Sequence, residues 1–412
     1  MFDQITLPNG LRIVGERIPH FRSVSVGLWL GVGSQHESEE IGGVSHFIEH
    51  MLFKGTKTRS ARRIAEVMDA VGGQLNAFTA KECTCFYAKV VDEHLPLAMD
   101  VLSDLVRHSV FDEEELEKEK GVVLEEIAMA EDSPEDVVSE LVMSARYGDQ
   151  AIARPILGQN ETVSGFSRTL VMGFYHKMYR PDNCVLAIAG HYDWDELLDL
   201  ANRYLGDWAK ADSDVPGYIT LPEKPTILRR EKEIEQLHLC IGYPGVTQLS
   251  DSLYPMSLVN SVFGGAMSSR LFQTIREERG MAYSVYSYPS AYRDTGIWVV
   301  YAGTSMQNGN TVLSLIREEA KKLSHEGMTQ SEFTQARDQL KGSYVLGLES
   351  TSSRMNALGR RMLLMNEIQS EEEVIKKIND ISYDDVTDIA RMLLSGEAAV
   401  ALVGRDIAKL EV

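Results

Sequence analysis

Apolar residues recur along this chain in two rhythms, and the rhythms alternate in the same order twice. Ser23-Val24-Ser25-Val26-Gly27-Leu28-Trp29-Leu30 carries apolar side chains at every second position, which predicts a strand at 24–30 with one covered face. A glycine-opened segment at 46–53 then switches to helical spacing, and Gly72-Gly73 marks a turn. An aromatic strand pattern occupies 83–91, and two long amphipathic helices are predicted at 95–109 and 112–130. The second half repeats the series with a strand at 237–242, a helix at 254–263, a turn at Gly264-Gly265, an aromatic strand at 283–290, and helices at 310–324 and 331–346. The helix entries Phe111-Asp112-Glu113-Glu114-Glu115-Leu116 and Met328-Thr329-Gln330-Ser331-Glu332-Phe333 share one pattern, so the halves read as an internal duplication.

Between residues 211 and 227 the period is lost, and Asp212, Ser213, Asp214, Pro216, Gly217, Pro222 and Pro225 cluster there. A cut at this point gives a domain at 1–210, a linker at 211–227 and a homologous domain at 228–412, each about the size that one core serves. Alternating strands beside long helices argue for an α+β fold, with two homologous domains each built on a mainly antiparallel sheet and helices covering one face.

Charge narrows the list of partners. The 412 residues hold 41 Lys and Arg against 61 Asp and Glu, a net charge of −20, which leaves no electrostatic footprint for nucleic acid or an anionic membrane. The apolar run at 184–189 is far short of the ~20 residues that span a bilayer, so no membrane segment is expected. Met1-Phe2-Asp3-Gln4 opens without the basic and apolar regions of a secretory signal, which makes a cytoplasmic location the expectation. The four cysteines form no Cys-x-x-Cys pair and are expected to be reduced, mostly buried thiols.

One segment carries distinctive chemistry: Gly42-Gly43-Val44-Ser45-His46-Phe47-Ile48-Glu49-His50-Met51-Leu52-Phe53. At ~100° per residue, His46 and His50 share a helix face, and Glu49 sits within ~60° of His46. Two imidazoles with a carboxylate beside them are what a catalytic zinc ion takes from a helix: two nitrogen ligands and a base for the bound water. The apolar neighbours Phe47, Ile48, Met51 and Leu52 hold this helix against a core, where polar side chains need partners. A third ligand is best supplied by the acidic helix at 112–130. There Glu126 and Glu119 fall within ~20° of each other at the border of the stripe of Leu116, Val123, Ile127 and Ala130, and Glu125 points to the far side.

His46-x-x-Glu49-His50 followed by Glu126 resembles the inverted zinc motif of the pitrilysin, or insulinase-like, metallopeptidases. The likeness extends over nearly the whole chain and is strongest to the short-chain branch that includes the β subunit of the mitochondrial processing peptidase and bacterial processing proteases. The resemblance implies one zinc per subunit held by His46, His50 and Glu126, with Glu49 as general base and Glu119 as the acid supporting a ligand. It also implies that Asn76, Ala77 and Phe78, in Gly72-Gly73-Gln74-Leu75-Asn76-Ala77-Phe78-Thr79, lie on an edge strand to which a peptide substrate adds. Arg276 and Tyr283 resemble the family's substrate-contacting Arg/Tyr pair. Tyr254-Pro255-Met256-Ser257-Leu258-Val259 occupies the helix corresponding to the motif in the second half, so only the first domain is expected to hold metal. Longer members carry four such domains. With two here, the resemblance implies a homodimer, or a pairing with an inactive paralogue, that closes a chamber around a peptide or unfolded polypeptide. A non-catalytic scaffold of the same fold is the alternative, and members of that kind have decayed metal motifs.

Overall fold

A computed structural model of the chain describes residues 2–210, 217–221 and 223–411. Part of the break expected at 211–227 therefore lies outside the described residues, namely 211–216 and Pro222. Two compact units are present. The first comprises residues 1–127, 155–218 and 346–368, and the second 128–154, 219–345 and 369–412.

The first unit is organised on six strands: β1 (Phe2–Thr6), β2 (Arg12–Arg17), β3 (Ser23–Leu30), β4 (Gln74–Thr79), β5 (Thr84–Val91) and β6 (Cys184–Gly190). They lie in the order β1-β2-β6-β3-β5-β4, antiparallel throughout except for the parallel β2/β6 pair. The second unit has β7 (Ile227–Glu231), β8 (Gln236–Pro244), β9 (Ala282–Ala291), β10 (Gly296–Ser305) and β11 (Ala399–Gly404), in the order β7-β11-β8-β10-β9. Here too one pair, β7/β11, is parallel and the rest are antiparallel. The two sheets share strand order and direction, with β1 as an extra edge on the first. This is the α+β duplication that the sequence pattern predicts.

The helices α1 (Val44–Leu52), α2 (Ala61–Asp69), α3 (Leu95–His108), α4 (Glu113–Asp132) and α5 (Pro134–Tyr147) follow in the first half of the chain. Phe47 and Met51 of α1 and Leu102 and Leu105 of α3 pack with Val24, Val26, Leu28 and Leu30 of β3 in one core. The opposite face of this sheet is not left to water, as an alternating strand would suggest. Helix Thr351–Met365, from the second half of the sequence, covers it. Ser25 Oγ meets Thr351 Oγ1 at 2.9 Å, the Trp29 indole N–H donates to Met355 Sδ at 3.3 Å, and Met355, Leu358 and Met362 are buried. Small and hydroxyl-bearing residues on the polar side of β3 make this close seat feasible. A Cβ at Gly359 would lie 2.2 Å from the Trp29 ring nitrogen.

The second unit shows the reciprocal arrangement. α5, from the first half of the sequence, packs Val138 and Val142 onto Cys240 of β8 and Ala401 and Val403 of β11. The compact units thus exchange a helix relative to the single cut expected at 211–227. Hydrophobic periodicity marks an apolar face on each of these helices but does not say which sheet receives it. The four cysteines are free and buried, and no described helix is long and apolar enough to cross a membrane.

Candidate metal centre

α1 begins where the chain needs a positive φ. Gly43 sits at φ 95°, and a Cβ there would meet the Leu157 carbonyl oxygen at 2.6 Å. The orphan N–H groups of this helix start, those of Gly43 and Ser45, donate to the buried Glu37 carboxylate at 2.7 and 2.8 Å. With α1 locked at its start and its apolar side in the core, His46, Glu49 and His50 emerge together. The two imidazole rings lie 4.5 Å apart, centre to centre.

α4 supplies the third donor. Leu116, Val123 and Ile127 bury its apolar stripe, and Glu119 and Glu126 follow on that side, while Glu125 is exposed. Glu126 Oε2 is 3.7 Å from His46 Nε2 and 3.5 Å from His50 Nε2. Donors of a tetrahedral zinc site with bonds of about 2.0–2.1 Å stand roughly 3.3 Å apart, so this spacing fits a shared ion. Among the described residues these three form the one cluster of His, Cys, Asp and Glu donors close enough to hold a metal, all within 4.8 Å of one another. Glu49 is outside that group. The helix that follows β8, Leu253–Asn260, occupies the position of α1 in the second unit and offers no such donors.

Hydrogen bonds and charge set up the donors. His50 Nδ1 is 2.8 Å from Glu119 Oε1, and Lys54 Nζ is 2.5 Å from Glu119 Oε2. With Nδ1–H donated to Glu119, the His50 Nε2 lone pair is left for a cation. Burial opposes the charged form of His50, but the bond to Glu119 and the fields of Glu126, Glu119 and Glu49 outweigh it, and its pKa is raised. A ring that the surrounding carboxylates press toward holding a proton will equally favour a metal ion in the proton's place. Burial, assisted by His50, lowers the His46 pKa to about 4, which keeps this imidazole neutral and able to ligate. Its Nδ1 is buried without a hydrogen-bond partner among the described residues.

Glu49 is oriented from the neighbouring strand, since Thr79 Oγ1 donates to Glu49 Oε2 at 2.5 Å and leaves Oε1 available. Burial raises the Glu49 pKa against the opposing pull of the Thr79 bond and of His50. β4, which carries Thr79, is the edge of its sheet, paired on one side to β5 in the register Asn76↔Tyr87, Ala77↔Phe86 and Phe78↔Cys85. The Ala77 N–H turns away from β5 and donates to Asn76 Oδ1 at 2.8 Å. Phe78 packs edge-on against Trp29 at 5.5 Å, so its ring is committed to the sheet face that helix Thr351–Met365 covers.

Arg276 and Tyr283 belong to the second unit and come together there. The Arg276 guanidinium lies 5.1 Å from the centre of the Tyr283 ring, and Tyr283 is 81% exposed. Three participants were not singled out from the sequence: Thr79, Lys54 and Glu37. Lys54 continues the four-residue spacing of His46 and His50 but lies beyond the end of α1 at Leu52, so that spacing alone does not place it. Thr79 and Glu37 reach the site through non-local contacts.

Two family models match the chain. The model described as insulinase (peptidase family M16) covers residues 12–160, and that described as peptidase M16 inactive domain covers residues 165–340. The chain is 44% identical over 407 residues to the uncharacterized zinc protease YmxG of Bacillus subtilis, spanning 98% of both chains. It is 40% identical to an uncharacterized zinc protease of Streptomyces coelicolor, spanning 97% of this chain and 88% of the relative. The fold superimposes on the crystal structure of a protease from Helicobacter pylori with a TM-score of 0.92 at 18% identity, covering 98% of this chain and 99% of that one.

Proposed function

The chain belongs to the insulinase-like peptidases of family M16, and from that premise we propose that it is a zinc-dependent endopeptidase acting on peptides or unfolded protein segments. The observation that carries this reading is the convergence of His46 Nε2, His50 Nε2 and Glu126 Oε2, with the Glu49 carboxylate beside them but outside the donor set. His46, His50 and Glu126 would hold one zinc ion per subunit. When bound, zinc supplies the acidification of water and the polarisation of a carbonyl. Glu49 takes a proton from the attacking water at Oε1 and passes it to the leaving amine, while Thr79 keeps Oε2 in place. Glu119 holds His50 in the tautomer that presents Nε2, and Lys54 neutralises Glu119 from the other side. A substrate strand adds along Asn76 and Ala77 through main-chain hydrogen bonds, and Phe78 contributes its backbone alone.

The working unit is a two-fold homodimer, or a pairing with an inactive paralogue, in which Arg276 and Tyr283 of one copy meet the metal centre of the other. The exposed Tyr283 ring, stacked by Arg276 yet covered by little else, supports this reading.

The Glu49→Gln variant tests the assignment. Peptide cleavage should fall by at least about 10²-fold while bound zinc, measured by elemental analysis, stays at the wild-type level. His50→Ala should lose both. Undiminished cleavage by Glu49→Gln would remove the general-base role and, with it, the proposed mechanism.

A further inference from the structure

The second unit holds a cavity of about 440 Å³ between helix Gly309–Glu326, helix Tyr383–Leu394 and strands β8 and β11, within the size range of small-molecule sites. Its inner surface is apolar, formed by Ile241, Val400, Ala320 and Leu394. Its rim is cationic. Arg317, Lys321 and His325 follow one another at four-residue spacing along one helix face, and Arg391 comes from the last turn of the other helix.

Arg317 and Lys321, one turn apart on that face, carry like charges that repel each other, so the pair calls for a counter-charge. Among the described residues none of Arg317, Lys321 and His325 has a carboxylate within 4.0 Å, and Arg391 alone holds one, Asp388 at 3.2 Å. This is unusual ground in a chain of net charge −20, where acidic side chains outnumber basic ones 61 to 41. Two hydroxyls open onto the same space. Tyr243 is 5% exposed and Ser324 6% exposed, and neither side chain makes a hydrogen bond among the described residues. Burial pushes the Tyr243 phenol up to about 12, with the charge of Arg317 pulling the other way, so the phenol stays protonated beside the guanidinium. A guanidinium, an ammonium and a phenolic donor above an apolar floor complement an oxyanion that carries a hydrophobic group.

We propose that this cavity binds a small amphipathic oxyanion, a carboxylate or phosphate monoester with its acyl or aryl portion on the Ile241–Val400 floor and its charge between Arg317 and Lys321. The position matches no residue of the proposed peptidase mechanism, so the site would act as a second binding site of the same chain.

The full-length protein is titrated by isothermal calorimetry with octanoate, phenyl phosphate, inorganic phosphate and the neutral octanamide. Octanoate or phenyl phosphate should bind at one per chain with a submillimolar Kd, and whichever binds more tightly identifies an acyl carboxylate or an aryl phosphate as the natural chemistry. Octanamide should not bind. The exposed double variant Arg317→Gln/Lys321→Gln should weaken the favoured probe by at least about tenfold with the melting temperature unchanged. Tyr243→Phe, which keeps the apolar floor, should weaken it by less. Absence of binding by both amphipathic anions at millimolar concentration, or equal affinity in the double variant, overturns the site. Inorganic phosphate binding as tightly as phenyl phosphate overturns the role of the apolar floor and so the class of ligand.

Discussion

Glu119 is 3% exposed and yet held as a carboxylate: burial alone would raise its pKa, but His50 and Lys54, both hydrogen-bonded to it, bring it below the ordinary carboxylate value. Truncating it removes the partner that orients His50 and leaves Lys54 uncompensated. Glu119→Ala is therefore expected to weaken zinc binding by about 10–100-fold in a competitive chelator titration, and an unchanged affinity would show that His50 needs no such support. At this scale the sequence is informative where chemistry is local. His46, Glu49 and His50 are placed by one helical turn, and Glu126 is separated from its exposed neighbour Glu125 by the stripe of Leu116, Val123 and Ile127. Lys54 escapes that logic because α1 ends at Leu52, after which a helical projection no longer says where a side chain points. Thr79 escapes it because nothing in a strand's own pattern tells which helix it will lie beside.

Elements show the same division between local and distant information. Strand positions, the repeat and the helix entries follow from periodicity and capping residues. The parallel pairs β2/β6 and β7/β11 do not, since pairing direction depends on how the chain returns rather than on the strand itself. Gly359 gives the clearest test of the borrowed helix Thr351–Met365. By helix propensity an alanine there would stabilise by about 1 kcal/mol. Its Cβ would instead meet the Trp29 indole at 2.2 Å, so Gly359→Ala should destabilise by about 1–3 kcal/mol and lower the melting temperature of the first unit. A raised melting temperature would mean that the helix is not seated on β3. A second element-scale test concerns the start of helix Gln330–Gly347, where Glu332 pairs with Arg270 at 2.8 Å and accepts from the Thr329 N–H at 2.6 Å. These bonds hold its pKa at about 2 against an ordinary 4.5, the Arg270 hydrogen bond contributing most. A depressed carboxyl stabilises the fold above its unfolded value and loses that contribution as pH falls through the folded one. Screening at this partly exposed site leaves an effect of about 1–2 kcal/mol. The stability gap between wild type and Glu332→Gln, read from denaturant titrations, should hold at neutral pH and close between about pH 4.5 and 2. A gap that persists at pH 2 would place its origin elsewhere.

For the whole molecule, the proposed division of labour between copies makes a quantitative demand. Glu49→Gln retains Arg276 and Tyr283 but lacks the base, whereas Tyr283→Phe retains the base. If the groups act across a two-fold pair, refolding an equal mixture should recover about a quarter of wild-type cleavage, because half of the dimers are mixed and each has one complete site. No recovery above the sum of the separate variants would place both groups in the same copy or remove Tyr283 from the reaction. The exchanged helices bear on the chain's history and on its use. A gene doubled end to end ordinarily leaves two copies that could part again, but here each copy has lent the other a piece of its covering. A fragment ending near residue 210 would carry Trp29, Val185 and Ala187 with nothing laid over them, and its counterpart would expose Cys240 and Val403 in the same way. Splitting the molecule at its most obvious seam is therefore expected to yield two sticky remnants rather than two domains.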